Sequence, residues 1–125
     1  MLQLTIEQSF DFYLKSLKRC GLHLLEKTYD ETFHQIFEEF AIEYLASLGK
    51  YTLDRLEGEG LITSSIYELS KLLEAKLSKI DNTSQWNVDS LKHTKDWKDI
   101  LQLSDEIKEL VYQYHWDVWG VELEK

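Results

Sequence analysis

Glu31 and His34 stand three residues apart, a spacing that puts a carboxylate and an imidazole on one helix face where both could hold a divalent cation. A helical di-metal centre needs such a pair on each of two helices, together with two further inward glutamates. The chain has one pair, off the apolar stripe of its helix, and His23-x-x-Glu26 does not supply a second in the same order. Neither His-Glu-x-x-His nor paired cysteines suggest zinc. Cys20, with Arg19 before it and His23 three residues on, has neighbours that could lower a thiol pKa. Its small size suits it equally to closing a helix against a core, and that structural role is the one expected. Ser90 and His93 lack a nucleophile elbow, and Gly49-Lys50 lacks the rest of a phosphate loop. The sequence therefore predicts no catalytic residue, no metal site and no cofactor.

Glu106-x-x-Glu109 resembles the first carboxylate element of the all-α nucleotide pyrophosphohydrolases. In that family an Asp-bearing ExxD on a following helix completes a magnesium site against phosphates. Here Glu122-x-x-Lys125 follows instead, and Asp96-x-x-Asp99 lies upstream. The resemblance stops at these residues. A metal-dependent hydrolase consequently ranks below two binding roles.

Charge is the stronger signal. Asp and Glu number 23 against 14 Lys and Arg, giving −9, and residues 28–49 hold five of the acids with no Lys or Arg. Such a surface is repelled by nucleic-acid phosphates and by anionic membranes, and it favours a basic protein partner. Acidity can also serve solubility alone. A lone cysteine excludes an intramolecular disulfide and suggests a reducing compartment. The first residues lack the pattern of a signal peptide, and no apolar run is long enough to cross a bilayer. The expected location is cytoplasmic.

The elements that must position these groups are helical. The chain contains no proline, and apolar residues recur at three- and four-residue spacing. Thr5-x-x-Gln8 reads as a capping box opening a helix that carries Ile6, Phe10, Leu14 and Leu17 inward and ends at Gly21. A second helix opens near Asp30, with Thr28-x-x-Glu31 as a competing cap. It points Phe33, Ile36, Phe37, Phe40, Ala41, Tyr44, Leu45 and Leu48 at the core and stops at Gly49. A short helix over residues 51–56 follows, then one capped by Ser65 with Ile66, Leu69, Leu73, Leu77 and Ile80 inward. Residues 81–85 read as a loop. The remainder predicts two helices broken near Ser104, the last ending at Gly120. The sum is one all-α domain over residues 1–125, a bundle of five or six helices.

On ordinary helical geometry, Glu31, Gln35, Glu38, Glu39, Ile42 and Ala46 share the solvent side of the second helix, with Glu43 beside them. Ile42 would be an apolar anchor ringed by carboxylates, as suits docking of a basic surface. The aromatic run at residues 112–119 predicts Tyr112 and Trp116 as an outward pair of anchors, with Tyr114 and Val118 inward. The expected partner-binding residues are thus Glu31, Gln35, Glu38, Glu39, Ile42, Glu43, Tyr112 and Trp116. They imply a non-catalytic protein that neutralises a basic partner, most sharply an immunity protein against a bacterial nuclease toxin. The alternative is a helical subunit or adaptor that assembles through its aromatic C-terminal segment.

Overall fold

A computed structural model describes residues 4–123 and shows an all-α bundle of six helices. Helix α1 is Ile6–Arg19, followed by a 3-10 turn at Leu22–Glu26. Helix α2 is composite: Tyr29–Thr32 in α form, Phe33–Phe40 in π form and Ala41–Ser47 again in α form run on without interruption. Then come α3 (Lys50–Gly58), α4 (Ser64–Ile80), α5 (Val88–His93) and α6 (Lys95–Trp119).

Short polar side chains start most of these helices by satisfying amide groups that no helical carbonyl reaches. Both predicted threonine boxes form: Thr5 Oγ1 accepts from Gln8 N at 3.1 Å, and Thr28 Oγ1 accepts from Glu31 N at 3.1 Å. Thr28 is therefore the cap of α2, and the helix starts at Tyr29 instead of Asp30. Thr63, not Ser65, caps α4, because its hydroxyl reaches Ile66 N at 3.1 Å. Asn87 starts α5, a helix not anticipated from the sequence, by accepting from Ser90 N at 2.8 Å.

The predicted break at Ser104 does not occur. Helix α6 runs unbroken for 25 residues, and Ser104 is buried at its middle. A mid-helix serine is satisfied there because its hydroxyl donates to the Cys20 carbonyl at 2.7 Å and to that of Leu17 at 3.3 Å. The hydroxyl taken as an N-cap signal for its own helix thus satisfies carbonyls at the end of another. Lys108 Nζ adds a bond to the Cys20 carbonyl at 2.9 Å, and Asp105 accepts from Leu22 N at 3.0 Å. Gly21 leaves room for the Asp105 and Lys108 side chains, since a Cβ there would lie 2.4 Å from Asp105 Oδ1 and 2.8 Å from Lys108 Nζ and would displace them.

One cluster of buried side chains reaches all six helices, including Tyr13 and Leu17 of α1, Phe40 of α2, Leu53 of α3, Leu73 and Leu77 of α4, Leu91 of α5, and Trp97 and Ile107 of α6. Tyr13 crosses it to bond Ser70 Oγ at 2.7 Å, and burial pushes the Tyr13 phenol pKa up. The loop after α4 is pinned at both ends: Tyr44 Oη donates to Asp81 at 2.5 Å, and Trp97 Nε1 donates to the Gln85 carbonyl at 2.7 Å. Trp86 in that loop packs edge-on against Phe37, with ring centres 5.3 Å apart. No helix among the described residues is long and apolar enough to cross a membrane.

Candidate partner-binding surface

The π segment sets which side of α2 faces outward. A π turn holds more residues than the 3.6 of an α turn, because each amide reaches back five residues instead of four. Ala41 N–H does so, bonding the Ile36 carbonyl. The buried side chains are Thr32, Ile36, Phe40, Tyr44 and Leu48, four apart, with Ser47 buried beside them. Extrapolation at α pitch fails before Ile36, and Phe33, expected inward, is exposed. Leu45, also expected inward, lies on the outer side at 58% exposure.

Ile42 stands on the outer side as expected, 82% exposed. The carboxylates around it do not form the bare acidic stripe that the sequence implied. Arg19, at the end of α1, reaches across to Glu39 at 3.1 Å and to Glu43 at 2.5 Å. The Glu43 contact is a close ion pair by distance, while the same guanidinium nitrogen and Glu43 Oε2 lack a well-aligned hydrogen bond. His34 bridges Glu38 at 3.2 Å and Glu39 at 2.7 Å, and these two carboxylates raise the His34 pKa, the Glu38 hydrogen bond first. Glu31 is turned into its own helix cap, where Thr28 N donates to it at 3.0 Å; that backbone bond lowers its pKa.

Gln35 is likewise occupied within the chain. Its Nε2 donates to the Arg19 carbonyl at 2.7 Å and to His23 Nε2 at 2.9 Å. Because an amide nitrogen only donates, His23 Nε2 must accept, leaving the proton on Nδ1. Desolvation lowers the His23 pKa, in accord with this neutral ring. Of the six residues predicted on α2, Ile42 and Glu38 present themselves outward, Glu39 does so in part while holding Arg19, Glu43 is mostly covered in its pair with Arg19, and Glu31 and Gln35 serve the fold.

The C-terminal pair is divided. Trp116 is 56% exposed, as expected, but Tyr112 is buried at 8%. Val118, expected inward, is exposed, and Tyr114 is partly buried with its hydroxyl donating to the Gly60 carbonyl at 2.7 Å. The inward position belongs to His115. Its ring stacks on Phe10 at 4.8 Å, and its Nε2 donates to the Leu61 carbonyl at 2.9 Å. Gly120 ends α6 in the left-handed region at φ 65°, a conformation natural to glycine. The chain then turns so that Trp116, Tyr112, Glu109 and Glu122 line a cleft of about 290 Å³. Trp119 and Val121, not singled out from the sequence, are exposed beside it. Trp119 is fixed by stacking on His115 at 6.0 Å, a contact that the reading of outward aromatics from the sequence passed over.

Other chemistry-bearing groups sit apart from these surfaces. Cys20 is fully buried, and burial pushes its thiol up to about 12. No three His, Cys, Asp or Glu side chains converge as a metal site among the described residues. Glu106-x-x-Glu109 lies on the outer side of α6, with both residues exposed.

No family model, curated protein or solved structure matches the chain.

Proposed function

We propose that this chain is a non-catalytic protein-binding domain that docks a basic protein partner on the outer face of α2. The observation that carries the proposal is the exposure of Ile42 and Leu45, at 82% and 58%, on a helix whose neighbouring carboxylates include the exposed Glu38 and the partly exposed Glu39. Isolated exposed apolar residues are common, but two close together with carboxylates beside them provide a desolvating centre and a steering rim. Arg19 neutralises part of that rim, so apolar contact supplies affinity and the acids chiefly orient the encounter. The sharpest form is an immunity protein whose carboxylates meet the phosphate-binding Lys and Arg of a bacterial nuclease toxin and so block its substrate path.

The test is affinity capture at low salt with the parent protein and with Ile42→Asp/Leu45→Asp, followed by association kinetics across ionic strength. A basic protein retained by the parent, lost by the variant and binding more slowly in salt is expected. The same partner held equally by both proteins would overturn the assignment to α2. Suppression of a captured nuclease's activity would establish the immunity form. A second proposal, a helical subunit of a larger assembly, is favoured by the exposed Trp116, Val118 and Trp119.

A further inference from the structure

We infer that the end of the bundle around the last turn of α6 is a second docking surface, built for a cationic amphipathic segment of a partner protein. This surface is distinct from α2 and does not depend on the proposal made for that helix. Its exposed apolar side chains are Trp116, Val118, Trp119 and Val121, each at least half exposed, which ring the end of the helix. Trp119 is held in place: its ring stacks on His115 at 6.0 Å and 19°, and His115 stacks in turn on Phe10. A ring already fixed on one face offers the other to a ligand with little rotamer entropy left to lose. Beside it, the cleft walled by Trp116 gives a partner's apolar side chain a place to insert.

Charge identifies the occupant. Glu122 lines the cleft and Asp117 follows Trp116. Glu59 precedes Gly60, which Tyr114 binds, and Glu7 lies one turn before Phe10, which His115 stacks on. Of the cations near this end, Arg55 donates to Ser9 Oγ at 2.9 Å and to the Leu4 carbonyl at 3.0 Å. Lys108, which with Lys18 lines the adjoining groove, pairs with Asp105 and donates to the Cys20 carbonyl. Apolar side chains within a negative rim complement leucine-like side chains flanked by Lys or Arg. A second copy of the chain would bring one negative rim against another, so self-association is disfavoured.

The test uses the full chain and a synthetic peptide with Leu and Lys at helical spacing, alongside its Leu/Glu counterpart. The Lys peptide should bind saturably, shift amide resonances of residues 57–61 and 109–123, and blue-shift tryptophan emission. Trp119→Ser and Val118→Lys, each confirmed as folded by circular dichroism, should each weaken it by roughly tenfold. The Leu/Glu peptide should not bind. Shifts confined to α2, equal binding of both peptides, non-saturable binding, unchanged affinity in both folded variants, or a dimer in sedimentation that dissociates on Val118→Lys would each overturn the inference. Shifts confined to α2 would do so while leaving the α2 proposal standing.

Discussion

The Ser104 hydroxyl lies 2.7 Å from the carbonyl oxygen of Cys20, so the middle of the longest helix terminates the first one. Ser104→Ala improves intrinsic helix propensity by roughly 0.5 kcal/mol yet removes a donor from buried carbonyls. Lys108 still serves Cys20, so the net expectation is a loss of about 1 kcal/mol, read as a lower urea midpoint at constant m-value. A midpoint at or above the parent's would show that this contact contributes nothing to stability.

Phe40 is fully buried and stacks on Tyr44 at 5.6 Å. Phe40→Ala should cost roughly 3–5 kcal/mol through lost burial and the cavity left behind. A thermal melt coinciding with the parent's would contradict the inward placement of this ring.

Glu38 and Glu39 are adjacent, but their substitutions should differ. Glu38 contacts the exposed His34, so Glu38→Lys should alter stability by no more than about 0.5 kcal/mol while slowing association with a basic partner. Glu39→Lys places a cation against Arg19 and should cost about 1 kcal/mol besides. Equal chemical-denaturation midpoints for the two variants would discount the Arg19 clamp.

Two histidines should titrate on opposite sides of the ordinary 6.5. His34, raised by Glu38 and Glu39, contributes stability that is fully present below 6.5 and lost as pH rises through its higher folded value. His23, lowered chiefly by desolvation, contributes stability that is present above 6.5 and lost as pH falls through its lower folded value. Ring-proton resonances followed across pH give both midpoints, and Gln35→Ala should move the His23 midpoint upward by freeing Nε2. Coincident midpoints would rule out the arrangement.

Cys20, buried and with its thiol pushed up to about 12, should not react with a disulfide reagent at pH 8 in the folded protein. It should become reactive on unfolding. Rapid labelling under native conditions would mean that the end of α1 opens readily.

The helical class, both threonine capping boxes, the outward position of Ile42 and the glycine stop at Gly120 were all legible in local spacing. Several of the departures depended on a contact distant in sequence, while the Thr63 and Asn87 caps were local signals passed over. Ser104 reads as a cap until the carbonyls of α1 are placed over it. Gln35 and Glu43 read as free surface until Arg19 and His23, well upstream, reach them. Tyr112 is buried and Val118 exposed, the reverse of the expected pair, and no spacing within α6 distinguishes them. Within α2 the difficulty was pitch, since an apolar recurrence in fours fits neither a regular α-helix nor a strand. Thr32, an unremarked polar residue, completes that pattern and was its missing member.

The widened middle of α2 has a practical consequence for anyone copying its outer surface. A peptide stapled into a regular α-helix from residues 29–47 would keep Ile42, Glu43 and Leu45 together but would swing Phe33 and His34 around the axis relative to them. An epitope transplant or inhibitor mimic based on this segment must therefore preserve the five-residue hydrogen bonding, or begin after it.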